Sequence, residues 1–338
     1  MGQADLARAA VDAAVRAPSP HNTQPWRFET AAGRIDVLLD PARVLAVIDP
    51  DGREARMSCG AALFNMRMAL RARAVAVRTE LLPAPDRPDL VARLWFGGHS
   101  AATAEERRLC AAIRVRRTNR RPFSDRPITS AVRDSIIEAA LIEGARLIVP
   151  TRPADYGPLA ALLRRAELAQ REDAASQTEK RRWIAEEPGR TDGVPPIAGG
   201  PPPVDEPLVP LRDYGPRAPG RPRAYEREPT LAVLLTGGDT ARDHVRGGQA
   251  MQRVLLAATA AGCDASFLSA AVERPASRAA LRGLLAGEGH PQVILRIGYG
   301  GPAPATPRRP GGAVTRGEVA RDDSTSDSTP AARGEGGP

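Results

Sequence analysis

The sequence has almost no lysine and few aromatic side chains. Of its 48 basic residues all but Lys180 are arginine, and Phe, Trp and Tyr together make up 4% of its 338 residues. The arginines are strewn along the chain rather than massed in one arm or basic helix, so the net charge of +8 does not by itself call for a nucleic-acid partner. Cysteine is scarce too. Cys59, Cys110 and Cys263 lie far apart with no CxxC and no histidine at ligand spacing, which argues against a disulfide framework and a structural metal site. No apolar run approaches the ~18 residues of a membrane-spanning helix. The first residues carry acids early and no apolar h-region, and Leu6 stands where a myristoylation signal needs Ser or Thr. These absences together read as a soluble, cytoplasmic protein without membrane or nucleic-acid partners. No Walker loop, HExxH or GxSxG occurs, and LLTGGDTARD (234–243) has the wrong glycine spacing for a dinucleotide fingerprint.

Hydrophobic residues, at 42%, suffice for a core. Helical periodicity predicts helices over 4–17, 53–73, 103–114, 129–144, 154–172, 240–261 and 275–286. The first is stopped by Pro18 and Pro20, and that over 129–144 is opened by Thr or Ser and closed by Gly144. Strands are predicted after Trp26 and over 34–41, 75–82, 90–96, 145–150, 230–236 and 291–300. Between 187 and 229 the chain is dense in Pro and Gly, an excursion too long for an ordinary connection. Beyond Pro310 large apolar residues almost vanish, so 311–338 is predicted to be a disordered tail.

A weak repeat runs through this pattern. CGAALFNMRMALRARAVAV (59–77) aligns with GGQAMQRVLLAATAAGCDA (247–265) at a constant offset of 188. Two long helices packed centrally are expected, with Gly60, Ala61, Gly248 and Ala250 allowing close approach. Chance likeness of two Ala-rich helices is the plainer alternative.

Two clusters carry the chemistry. The loop from Pro18 through Ser19, His21, Asn22, Thr23, Gln24 and Pro25 to Trp26 is stiffened by three prolines and offers donors and acceptors of both kinds, suited to the edge of a planar heterocycle. It would serve equally as a helix-to-strand connection anchored by Trp26. The second runs from Arg114 to Phe123 and holds five arginines within eight residues around Thr118 and Asn119. Guanidinium forks match phosphate bidentately, although a solvated turn would carry the same residues. Arg308 and Arg309, after the last strand, form a smaller basic site.

Taken in order, SPHNTQPW, RRTNRRPF, a Gly-started long helix, RIGYG and TPRRP resemble the nitroreductase superfamily of FMN-dependent oxidoreductases, and within it the Acg-like branch of fused double units. The likeness spans about residues 5–310. It implies an α+β nitroreductase-like fold of two fused repeats forming an intramolecular pseudo-dimer. The repeats would occupy 1–100 and 101–310, the second with a lid-like insertion at about 170–229. It also implies FMN as cofactor and NAD(P)H as donor to a small-molecule electron acceptor. By this likeness Arg116, Arg117, Thr118 and Arg120 would hold the FMN phosphate and the pyrimidine side of the flavin, with Arg120 facing N1 and O2. Ser19, Asn22 and Gln24 would lie against the ring system, and Arg308 and Arg309 would complete the phosphate cradle. No catalytic acid or base is assigned. The first unit has the polar loop without an arginine segment, and the second has the reverse, so one flavin site per chain is expected. An FMN-binding or storage protein with a closed lid and no turnover is the alternative.

Overall fold

The computed structural model describes residues 2–205, 207–214 and 221–317. Helix α1 (Gln3–Ala14) buries Ala7, Ala10, Val11 and Ala14 on one face and ends ahead of Pro18. A hairpin of β1 (Trp26–Ala31) and β2 (Arg34–Leu39) leads to α2 (Arg53–Arg71), β3 (Val75–Leu81) and β4 (Leu90–His99). Helix α3 (Ala104–Val115) opens on a capping box: Thr103 Oγ1 accepts from Glu106 N at 3.1 Å, and the Glu106 carboxylate accepts from Thr103 N at 2.8 Å. Then come α4 (Ser130–Ile142), β5 (Arg146–Ile148), α5 (Pro153–Glu172) and α6 (Ala174–Arg182). The described chain is largely irregular from there to β6 (Thr230–Thr236). The remaining elements are α7 (Ala241–Ala260), β7 (Asp264–Phe267), α8 (Ala270–Glu273), α9 (Pro275–Leu284), β8 (His290–Gly298), α10 (Gly311–Val314) and β9 (Thr315–Gly317).

The strands form two sheets, ordered β3-β4-β2-β1-β9 and β5-β6-β8-β7. Pairing is antiparallel except at β9, which lies parallel to β1 with Thr315 opposite Phe28. Helix α2 packs on the first sheet, α7 on the second, and the two helices pack on each other. Both are buried on nearly every side, as central helices must be. Their crossing is tight. A Cβ on Gly60 would stand 2.1 Å from the Val245 carbonyl oxygen, and one on Gly248 would stand 2.0 Å from that of Met57. The offset of 188 carries Met57 to Val245 and Gly60 to Gly248, so each contact is the repeat-related image of the other.

Two expectations change. The insertion is helical at its start, because Asp173 Oδ1 accepts from Ala175 N at 3.0 Å and caps α6. The segment 311–317, counted with the tail, is folded: α10 buries Val314 and β9 extends the first sheet. The rest of the expected tail, 318–338, lies outside the described residues.

A chain ended after Pro310 loses this edge. Burial of a valine contributes about 1.5–3 kcal/mol, and the strand pairing adds to it. Its thermal midpoint is expected to fall by about 3 °C or more relative to a chain ended after Gly317, measured by calorimetry.

Candidate functional site

The polar loop between α1 and β1 is held in a conformation that few side chains adopt. His21, Asn22 and Gln24 have φ of 47°, 58° and 52°. Each such residue costs about 1–3 kcal/mol and persists only where its surroundings over-determine it. They do so here. Gln24 N donates to Ser19 Oγ at 2.9 Å, and its side chain accepts from Arg309 N at 2.8 Å and donates to the Thr191 carbonyl at 2.9 Å. Asn22 Nδ2 donates to the carbonyls of Gly193 (2.8 Å) and Pro307 (2.9 Å), while its Oδ1 accepts from Arg308 Nη1 at 2.9 Å.

The arginine segment runs beside β7 as an added parallel bridge, Thr118 to Ala265. Asn119, fully buried, donates its backbone N–H to the Ala265 carbonyl at 2.9 Å and its Nδ2 to the Gly301 carbonyl at 2.9 Å. Farther along, Phe123 N donates to Glu226 Oε2 at 2.9 Å, and Arg296 pairs with Glu226 and donates to the Arg121 carbonyl at 3.1 Å. Thus one end of the segment is fixed on the second sheet, while Arg116 and Arg117 follow directly from the last turn of α3.

Loop and segment meet at a cleft that is partly open to solvent. Ser19, Asn22, Thr118, Arg120 and Arg308 line it, with Glu54, Met57 and Ser58 of α2 and Met251 of α7. Thr118, Thr306 and Arg308 also line an adjoining hollow of about 360 Å³ that adds Arg16, Arg116 and Arg117. Two expected residues stand elsewhere. Gln24 is fully buried behind the loop and does not line the cleft. Arg309 turns its side chain toward Ala313 and a different surface groove, and serves the loop through its backbone N–H. Asn22 borders the cleft, but its amide hydrogens go to protein carbonyls, so loop anchoring is its visible role.

The hollow is built for an anion. Arg116 Nε and Nη1, Arg308 Nε and, at the cleft, Arg120 Nη1 are buried with no hydrogen-bond partner. Among the described residues no carboxylate lines the hollow. Burial, then the neighbouring Arg117, holds the Arg116 guanidinium down to about 10. Burial, then Arg116, Arg117 and Arg16, holds Arg308 down to about 9. A phosphate dianion would satisfy the unpaired N–H groups and reverse the repulsion.

Further contacts shape the cleft wall. His21 Nδ1 lies 3.0 Å from Tyr214 Oη, and its pKa sits well below the ordinary value through burial and the charges of Arg212, Arg120 and Lys180. Arg120 stacks 4.5 Å over the Tyr214 ring. Arg212 pairs with Glu273 at 2.6 Å; burial pulls its pKa down, but Glu273, Tyr214 and Glu167 together more than offset this and the net shift is upward. Val194, Arg212 and Tyr214 all come from the insertion, which therefore forms part of the cleft wall.

No family model matches the chain. It is 31% identical over 313 residues to the Mycobacterium tuberculosis H37Rv protein named "Putative NAD(P)H nitroreductase acg", covering 90% of this chain and 94% of that one. The chain belongs to the Acg-like branch of the nitroreductase superfamily. A second protein of that organism with a nitroreductase name is 31% identical over 316 residues, 90% of each chain, and an uncharacterized one is 31% identical over 314 residues, 89% of this chain and 90% of that one. Among solved structures, a Bacteroides fragilis nitroreductase with bound FMN gives a TM-score of 0.37 at 14% identity over 60% of this chain and 92% of its own. The NADPH:FMN oxidoreductase of Vibrio harveyi complexed with NAD+ gives 0.36 at 14% identity, 60% and 73%. At those scores the structural likenesses add nothing to the sequence relatives. Membership of this Acg-like branch agrees with the expected α+β fold, and the described helices include none long and apolar enough to cross a membrane.

Proposed function

We propose that the chain is an FMN-dependent NAD(P)H oxidoreductase of nitroreductase type, with one flavin site formed between two fused units. The observation that carries this reading is the continuity of the cleft with a hollow whose buried guanidinium N–H groups lack partners. Arg116, Arg117, Thr118 and Arg308 would hold the phosphate. Arg120, Ser19 and the α2 residues Met57 and Ser58 would border the ring system. The flavin, when bound, supplies hydride transfer between NAD(P)H and a small-molecule electron acceptor. The two-unit reading is supported by the repeat-related contacts of Gly60 and Gly248, and by a site that draws its loop from before residue 100 and its arginines from after it. On that reading the chain is a monomer with an internal pseudo-dimer.

The insertion favours a second reading, an FMN-binding or storage protein whose lid stays closed. Asn22 to Gly193, Gln24 to Thr191 and His21 to Tyr214 tie residues 191–214 across the loop. One experiment separates the two. Purified protein given FMN should retain it, seen as flavin absorption, and anaerobic NADPH should bleach that absorption. Retained flavin that NADPH leaves oxidised favours storage, and failure to retain any FMN excludes both.

A further inference from the structure

We propose that Glu54 is the proton donor of the cleft. The inference rests on the oxidoreductase reading above. Reducing a neutral two-electron acceptor consumes one hydride and one proton, and the sequence motifs name a source only for the hydride. Among the described residues lining the cleft, Glu54 is the one carboxyl. It stands on the first turn of α2, 7% exposed, beside Met57 and Ser58.

A count of buried charge says which group holds the proton. Three carboxyls, Asp49, Glu54 and Glu273, share this pocket of the protein with two guanidiniums, Arg53 and Arg212, with Glu167 and Lys180 beyond Arg212. Glu273 is held by Arg212 and by Gln170. Burial raises the Asp49 pKa, but both its oxygens accept helix N–H groups, from Glu54 at 2.9 Å and Ala55 at 2.8 Å, which limits the rise. Arg53 meets one Glu54 oxygen at 2.7 Å but divides its donors among Gln292 and Val272 as well. Of the three, Glu54 is the one that lines the cleft, and it holds only a share of one guanidinium. Burial, then Glu273, outweighs Arg53, is reinforced by Asp49, and raises its pKa to about 8. His21, Arg120, Arg212, Tyr214 and Arg308 line the other walls of the cleft. The carboxyl O–H bond would break and its proton would join the acceptor, the hydride being what a bound flavin would supply, and the carboxylate would regain a proton from solvent.

The FMN-loaded protein tests this. Infrared difference spectra of wild type against Glu54→Gln should show a protonated carboxyl band at pH 7 that disappears with a midpoint near pH 8. Glu54→Gln should keep its flavin, lower acceptor reduction about a hundredfold, and lose the decline in rate above that pH. Glu54→Asp should restore part of both. An ionised Glu54 at pH 7, or a Glu54→Gln protein that retains flavin and matches wild type in rate, overturns the proton-donor role while leaving the oxidoreductase reading intact. A chain that takes up no flavin overturns both.

Discussion

Replacing Arg116 and Arg308 together by alanine should weaken FMN binding by at least about a hundredfold while leaving the flavin-free protein about as stable as before. Each charge-assisted hydrogen bond to a phosphate contributes about 1.5–3 kcal/mol, so losing two removes about 3–6 kcal/mol, or a factor of about 10² to 10⁴ in affinity. The stability half of the prediction follows from the same residues. Their guanidiniums keep a charge that burial and mutual repulsion disfavour, and no carboxylate among the described residues of the hollow offsets it. Alanine relieves that repulsion, while loss of the Arg308 bond to Asn22 costs about 1 kcal/mol in the other direction. The sign against pH is definite. An unfolded Arg308 holds its proton to its ordinary, much higher value and the folded one only to about 9, so between those values the unfolded chain binds more protons and stability rises with pH. Below about pH 9 the penalty is complete, and neutral conditions lie inside that range. Inorganic phosphate should therefore raise the thermal midpoint of the wild type near pH 7 and not that of the double variant. Titration calorimetry with FMN and thermal scans with phosphate read both effects. Undiminished FMN affinity in the double variant would put the phosphate somewhere else.

How much of this site the sequence exposed depends on how local each feature is. The arginine segment was legible because charge density on eight residues needs no fold to be noticed. The loop was legible as stiff and polar from its prolines. The direction of its amides was not. Asn22 reaches Gly193 and Pro307, and Gln24 reaches Thr191 and Arg309, all far away in sequence, so groups that looked free for a ligand are taken by protein. Arg309 misleads for a related reason: its backbone, not its guanidinium, serves the loop. Glu54 sits in an ordinary helical stretch, and only packing against Arg53, Asp49 and Glu273 makes it unusual. Strand β9 is three residues long and pairs with β1 across most of the chain, so no alternating pattern announces it. By contrast, the glycines of the central helices were legible as a repeat, since the same geometric need recurs at a fixed spacing.

That need yields the second large effect. Gly248→Ala should destabilise the protein by about 3 kcal/mol or more and lower its thermal midpoint by about 6 °C. The added methyl would stand 2.0 Å from the Met57 carbonyl oxygen and 2.7 Å from both the Met57 carbonyl carbon and Cα. All three are backbone atoms within a helix, so no side chain can swing aside, and α2 and α7 must separate. Separation reaches the cleft, because α2 supplies Glu54, Met57 and Ser58 and α7 supplies Met251. Flavin retention should therefore fall along with stability, a coupling that damage to a remote core site would not produce. Gly60→Ala, the repeat-related change, meets the Val245 carbonyl oxygen at 2.1 Å and should behave alike. The two together should fall short of the sum, since a crossing already forced apart accommodates the second methyl more easily. Gly283→Ala, on an exposed face of α9 where a Cβ meets nothing within 4 Å, is the control, and helix propensity there favours alanine by about 1 kcal/mol. A Gly248→Ala protein as stable as that control would mean that the helices do not touch at Met57. The fused-unit reading would then lose the contact that joins its halves.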